Sequence, residues 1–343
     1  MKLFNNFKRK LITLLLLFLS MIFIPLLSVF GKNKEIPDIK PSSKEITKSK
    51  NLNCENNFFT VLDESDNKII KISDREFLYG VVASEMPALF EEEALKAQAV
   101  ASYTYFCRER NKFRKSNPSN TDYEFTVNTS KWINYIPKEQ MQLKWGENFE
   151  KYYNKIKKCV DSVFPEVIEE ENGELILAAY HAISSGKTEQ CKDVFGGDLK
   201  YLTNVESPGD KLVPNYETLV EISVDEFKKA LLNEIKESEI KENPKEWLGD
   251  YTRSDGGMIK EINIFSKTFK GSDIRKIFGL RSSDFDLNYN SETDKFIFTV
   301  RGYGHGVGMS QHGAQYMAKQ SANYKEILSW YYPNTYITNL KSI

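Results

Sequence analysis

The stretch FFTVLDESDNKIIKISDREFLYGVVASEMP, residues 58–87, carries a strand pair, a helix start and a helix stop in succession. Its first half, FFTVLDESDNKIIKI, alternates apolar and polar residues around a polar cluster. This is the pattern of a β-hairpin turning near Asp63 to Asn67. Ser73-Asp74-Arg75-Glu76 then reads as a capping box, since Ser73 can accept from a first-turn N–H while Glu76 reaches back. A helix therefore starts near Asp74. Pro87 disfavours helical dihedrals at Met86 and offers no N–H of its own, so the helix stops about there. A hairpin feeding straight into a helix, in a chain whose later strands and helices do not strictly alternate, sets the class as α+β.

Glu85 falls in the last turn of that helix. Val82, Val81, Leu78 and Phe77 lie three, four, seven and eight residues before it and share its face. The carboxylate emerges from a hydrophobic stripe. Desolvation disfavours its charged form, and the negative end of the helix dipole disfavours it by roughly 0.3–1 kcal/mol more where exposed. A proton held near neutral pH is the expected result, and that is what a general acid needs. The plainer role is a Glu at the rim of a core helix whose head snorkels to water. On this stretch alone the plainer role is the default.

The chain has 343 residues, 41% of them hydrophobic, enough for one large domain or two smaller ones and too many for a disordered protein. Lys+Arg 47 against Asp+Glu 48 leaves a formal charge of -1, so no global field recruits a polyanion such as nucleic acid. At the N-terminus Lys2, Lys8, Arg9 and Lys10 precede LITLLLLFLSMIFIPLLSVF, an uncharged run long enough to cross a bilayer of about 30 Å. Ser28-Val29-Phe30 is a poor cleavage site, so a retained anchor is expected in preference to a cleaved signal peptide. The basic residues put the N-terminus in the cytoplasm and everything after Gly31 outside. Residues 1–31 are thus read as cytoplasmic tip and transmembrane helix, and the polar segment 32–57 as a flexible tether. Four cysteines, Cys54, Cys107, Cys159 and Cys191, show no C-x-x-C pairing, and the three possible disulfide pairings stay open.

Beyond Pro87 a second helix is expected. Glu91, Glu92 and Glu93 sit in its first turn, Leu95, Ala99, Ser102 and Phe106 recur at helical spacing, and its alanines allow close packing. Pro137 to Phe164 reads as helix in two pieces, and residues about 225–250 as a charged, more exposed helical excursion. LILAAYHAISS, KEINIFSKTF and KFIFTVRG read as strands, and QHGAQYMAKQ and Tyr324 to Tyr332 as closing helices.

Two motifs mislead. Gly186-Lys187-Thr188 invites a phosphate-loop reading, but the required glycine five residues earlier is His181. RGYGHGVGMSQHGA has Gly302, Gly304, Gly306 and Gly308 at alternate positions and fails the dinucleotide fingerprint at Val307. Such a loop has positive φ at several places and lets a backbone approach something closely. That something is either a sugar lying on exposed N–H groups or a second segment of the same chain, and both stand open. His305 and His312 are seven apart, a spacing without metal-ligand geometry if the segment is loop, so hydrogen bonding or support is their expected job.

REFLYGVVASEMPALFEEEALKAQAVASYTY at 75–105, HAISSGKTEQCKDVFGGDLKYLTNVESPGD at 181–210, IFGLRSSDFDL at 277–287, GYGHGVGMSQHGAQYMA from Gly302 and ILSWYYPNT follow one another in order. Together they resemble the stage II sporulation protein D family, whose domain is shared with an amidase-enhancer group. The resemblance implies a catalytic domain over 58–343, with helices and mainly antiparallel strands around a substrate groove. It also implies a lytic transglycosylase that cuts peptidoglycan strands stripped of their stem peptides, at the forespore septum, during engulfment in endospore formation.

By that resemblance Glu85 is the catalytic residue, and Ser185, Gly186, Lys187, Thr188, Tyr201, Gly304, His305, Gly306 and Gln311 line the groove. Glu85 would protonate the glycosidic oxygen and then take a proton from the muramic acid 6-hydroxyl, which attacks the anomeric carbon. Some clostridial relatives resemble metal binders with Cys and His between this helix and the next strand. TDYEFTVNTSKWINY contains neither, so no cofactor or metal is expected. The implied partners are septal membrane proteins of the engulfment machinery, including a peptide-stripping amidase and endopeptidase. The other function implied is a non-catalytic glycan-binding activator of a cell-wall amidase.

Overall fold

Strands β1 (Phe58–Asp63) and β2 (Lys68–Ser73) pair antiparallel, with Asp63 opposite Lys68 across the turn. Asn67, one of the residue types that tolerate the left-handed region, takes φ 57° there. The computed structural model describes residues 58–340 apart from 117–122, 132 and 236–239. The anchor expected at 1–31, the tether at 32–57 and Cys54 lie outside the described residues. Among the described residues no helix is long and apolar enough to cross a membrane.

Helix α1 (Asp74–Glu85) follows without a linker, and the Ser73 hydroxyl accepts from the Glu76 N–H as the capping pattern requires. The return contact of Glu76 goes to the Ser73 hydroxyl and not to its backbone. Helix α2 (Glu92–Ser116) is the spine of the first core, its Ala94, Ala97, Ala99 and Ala101 all buried. A buried ion pair ties the two helices: Arg110 donates to Asp74 at 3.0 Å, and Tyr103 donates to the same carboxylate at 2.9 Å.

Strand β3 (Phe125–Val127) joins β1 in parallel. Helices α3 (Lys138–Trp145) and α4 (Phe149–Val163) are the two expected pieces, with α4 packed on both α1 and α2. Strand β4 (Glu166–Glu169) then lies along α2.

The segment expected as one long apolar strand, residues 175–185, forms a ladder only at β5 (Tyr180–His181). Its other backbone groups are shared among scattered partners: Ile176 donates to Ile168, Ala179 accepts from Met309, Ile183 exchanges bonds with Tyr303, and Ser184 donates to the Asp210 carboxylate. It is an extended rod gripped from several sides. A short helix, α5 (Cys191–Val194), follows it.

A second core is built by β6 (Glu217–Ser223), α6 (Val224–Leu231), β7 (Leu248–Arg253), β8 (Ile259–Ile264), β9 (Lys267–Lys270), α7 (Gly271–Ile277), β10 (Asp284–Asn290) and β11 (Lys295–Arg301). Two antiparallel sheets, ordered β10-β11-β6 and β7-β8-β9, enclose it. The strict alternation in KFIFTVR puts Phe296, Phe298 and Val300 inside. The helix in the 225–250 stretch stops at Leu231. Phe227, Leu231 and Trp247 from this stretch are buried in the second core, so the segment is integral to it despite its charge.

The chain then returns to the first core. Strand β12 (Met309–Ser310) pairs in parallel with β5, helices α8 (Gln311–Lys319) and α9 (Tyr324–Tyr331) pack on α2, and β13 (Tyr336–Asn339) pairs with β4. This return carries Gln311 to the end of α1. Cys107, Cys159 and Cys191 are buried and unpaired.

Candidate active site

Glu85 is the last residue of α1, and the stop is the one Pro87 imposes: Met86 is extended, at φ -123° and ψ 145°. Phe77, Leu78, Val81 and Val82 beneath it are fully buried. The Lys144 ammonium donates to the Ala83 carbonyl at 3.0 Å, satisfying one of the carbonyls this helix end leaves open. Glu85 lines a cleft of about 520 Å³ with Tyr105, Asn134, Leu177, Tyr180, Phe195 and His305 among its other walls. Burial pushes the Glu85 carboxyl above the ordinary range. The opposing hydrogen bond from Gln311 does not cancel that shift.

That hydrogen bond runs from Gln311 Nε2 to Glu85 Oε2 at 3.1 Å. Gln311 opens α8, whose N-cap Ser310 accepts from Gly313 and donates to the buried Asp210 carboxylate at 2.7 Å. The same Gln311 amide nitrogen donates to Gln98 Oε1 at 3.4 Å, and Gln98 Nε2 donates to Ser102 Oγ at 2.9 Å. The Ser102 hydroxyl lies 3.5 Å from the Tyr180 phenol. Burial first, and the nearby Glu85 charge second, hold that phenol well above its ordinary value. A carboxylate at Glu85 only accepts, so it takes the Gln311 NH₂, and the Gln98 carbonyl meets the same nitrogen.

His305 lines the same cleft, with Phe195 at 5.0 Å between ring centroids. Its Nδ1 accepts from the Val307 N–H at 3.1 Å, which leaves the ring proton on Nε2. Burial, and then the Arg275 charge, pull its pKa down to about 4, so it is neutral at pH 7. His181 is more deeply buried. Its Nδ1 is 3.1 Å from the Val307 carbonyl, its Nε2 has no partner, and burial pulls its pKa to about 3. His312 packs on Phe90 instead, so the two histidines of the glycine loop do not converge. Among the described residues no group of three or more His, Cys, Asp or Glu is placed to hold a metal ion.

The remaining sequence-derived residues divide. Gln311 touches Glu85 and His305 lines its cleft. Tyr201 is buried behind the wall, its hydroxyl accepting from the Leu177 N–H at 3.0 Å. Ser185, Gly186, Lys187 and Thr188 line no part of this cleft and instead bind the turn at 184–188 to the segment 203–216. The Ser185 carbonyl accepts from Tyr216, the Gly186 carbonyl from Ser207, and Thr188 donates to Thr203 while accepting from Val205. The Lys187 ammonium sits 3.7 Å from Glu206.

Gly304 and Gly306 serve the meeting of two chain segments. At Gly304, φ 115°, a Cβ would stand 2.8 Å from His181 Cβ; four residues later at Gly308, φ 71°, it would stand 2.0 Å from the Ala179 carbonyl. The Gly306 carbonyl accepts from the Glu189 N–H at 2.7 Å. Of the two uses left open for the alternating glycines, close passage along residues 179–189 is the one the geometry displays.

Gln98, Tyr105, Asn134 and Phe195 belong to the site and were not singled out from sequence. A signal existed for Gln98 alone. It falls in helical register with Leu95 and Ser102 on the buried face of α2, and a buried polar group there demands a partner.

Comparison with known proteins adds an independent line. The family described as Stage II sporulation protein matches residues 63–169. Stage II sporulation protein D of Bacillus subtilis is 34% identical over 264 residues, which cover 77% of this chain and 74% of that protein. Its counterpart in Bacillus amyloliquefaciens is 34% identical over 279 residues, covering 81% and 78%. The protein named amidase enhancer of Bacillus subtilis is 25% identical over 310 residues, covering 76% of this chain and 40% of its own length.

Proposed function

The chain belongs to the stage II sporulation protein D family, and from that premise we propose that it is a lytic transglycosylase cutting peptide-stripped glycan strands of the cell wall. The observation that carries the reading is Glu85: a desolvated carboxyl, facing a cleft, with one oxygen held by Gln311 and its pKa pushed up by burial. In its acid form it protonates the glycosidic oxygen as the bond to the anomeric carbon breaks. As the resulting carboxylate it takes the proton from the muramic acid 6-hydroxyl, whose oxygen closes on that carbon. The proton returns to Glu85, no water is consumed, and the product carries a 1,6-anhydro end.

A hydrolase would need a second carboxyl group about 5–9.5 Å away to attack or to activate water. Among the described residues lining this cleft, Glu85 is the one carboxylate. An intramolecular hydroxyl makes the second carboxylate unnecessary. His305 is neutral in the working range, so it adds no positive charge against the developing oxocarbenium ion.

In this reading the described domain works outside the cytoplasm, tethered to the membrane by residues 1–31, at the forespore septum during engulfment. An amidase that strips stem peptides would supply its substrate. The likeness to the amidase enhancer favours a second reading, a glycan-binding activator of such an amidase, in which Glu85 is dispensable. Incubation of the full-length protein with peptide-free strands, followed by mass spectrometry, separates the two. Anhydromuramic products that disappear in Glu85→Gln support the enzyme. Products from neither protein, or equally from both, reject it.

A further inference from the structure

The Glu85 cleft is not isolated. Past Phe195, which lines both, a second cavity of about 630 Å³ opens between the two cores, with Lys192, Thr252, Lys260 and Lys270 on its walls. Tyr105 and Asn134 in turn are shared with a third cavity, about 370 Å³, beside Glu109 and Lys112. The Glu85 cleft therefore shares walls with two further hollows.

Three features of the second cavity point to a ligand. Phe195 is 48% exposed at the junction, a large apolar ring left uncovered where the two hollows meet. Glu189 lies in the cavity's inner wall, 1% exposed. Its Oε1 accepts from Ser254 and the Met258 N–H, and its Oε2 has no partner. At the rim Lys260 is engaged by Asp193 at 3.0 Å, which leaves Lys192 and Lys270 as exposed ammonium groups facing the hollow.

We infer that this second cavity holds the continuation of the sugar strand cut at Glu85, with Phe195 as the face under one ring and Lys192 and Lys270 meeting the strand's hydroxyls and carboxylates. The inference rests on the reading of the Glu85 cleft as a glycan site. An amphipathic ring suits an exposed aromatic, and a strand stripped of peptides bears a free carboxylate on each muramic residue for a cation to meet. A cleft that continues into neighbouring hollows takes the interior of a strand and is not confined to its ends.

The test uses the full-length chain carrying Glu85→Gln, so that binding is read without cutting. Peptide-free strands are sorted into a short fraction, filling the Glu85 cleft alone, and a fraction several times longer. The longer strands should bind at least about tenfold tighter, a gain of about 1.4 kcal/mol. Thr252→Trp fills the second cavity from an exposed strand position that tolerates an aromatic residue. It should erase that gain and leave short-strand affinity within about twofold; Lys192→Ala with Lys270→Ala should erase most of it. A length effect that survives in both variants, or that is absent from the parent, overturns the inference. If length-dependent binding is lost in Thr252→Trp while the unsubstituted protein forms no anhydro product, the strand site stands and the transglycosylase reading falls. If product forms and Thr252→Trp binds long strands as its parent does, only the strand site falls.

Discussion

Gln311 and Glu85 stand 226 positions apart in the chain, yet Gln311 Nε2 donates to Glu85 Oε2 at 3.1 Å. The bond favours the carboxylate while burial favours the acid, and burial is the larger of the two. A carboxyl poised between those pulls can give up a proton and take one back in the same turnover, which the proposed reaction requires. The predictions below follow from that balance and from the contacts that hold it in place.

Activity on stripped strands should fall as pH rises through the raised pKa of Glu85, since the acid form is then lost. His305, already neutral because burial holds its pKa at about 4, adds no second step near neutrality. The pH dependence of kcat/KM checks this, and a flat profile from mildly acid to alkaline pH contradicts it. Stability has a matching sign. The folded state binds the Glu85 proton more tightly than the unfolded chain, so stability is lost as pH rises from the unfolded range, about 4.3, through the folded pKa. Glu85→Gln removes that loss and should raise Tm at alkaline pH by roughly 2–4 °C per kcal/mol recovered.

Replacing Gln311 by Ala deletes the contact that favours the carboxylate, so the Glu85 pKa should climb further and the alkaline limb of the rate profile should move to higher pH. Lost orientation should lower kcat by about tenfold. Gln98→Leu, acting through Gln311, should shift both in the same direction by less, because it removes the carbonyl that the Gln311 amide now faces. A change confined to KM would place Gln311 in substrate binding and not in positioning.

Arg110→Met should destabilise the fold by about 3–5 kcal/mol in urea, because it strands the Asp74 carboxylate inside the first core. The cost comes from the charge left behind and not from the ion pair itself. A double replacement with apolar residues at Asp74 and Arg110 should therefore recover much of it. Equal losses in the single and double variants would contradict that account.

Gly308→Ala asks for a side chain at φ 71° with its Cβ 2.0 Å from the Ala179 carbonyl. Backbone strain alone costs about 1–3 kcal/mol, and the clash must push β12 away from β5. Because β12 leads directly into Gln311, activity should fall with stability. A drop in Tm without loss of product would show that the crossing is not what seats Gln311.

Local chemistry was legible in the chain. The hairpin turn at Asp63 to Asn67, the start of α1 at Ser73 and its stop before Pro87 depend on residues within a few positions of one another, and the structure has all three where the pattern puts them. The apolar stripe under Glu85 follows from helical periodicity alone, and so does the direction of its pKa shift. The rod at 175–185 reads as a single strand in the sequence because its apolar run says that it is buried, without saying by what. The charges of 225–250 hid Phe227 and Trp247 in the same way, since average polarity does not reveal which face turns inward.

Sequence by itself determined that Glu85 ends a helix in apolar surroundings. Only the tertiary structure decided that Gln311 would meet it, that Gln98 would orient Gln311, and that Ser185 to Thr188 would turn to residues 203–216 and away from the cleft. Periodicity and capping act over one or two helical turns. Contacts between distant residues depend on how β12 pairs with β5 and how α8 packs on α2, and those pairings are settled by the burial of both cores at once.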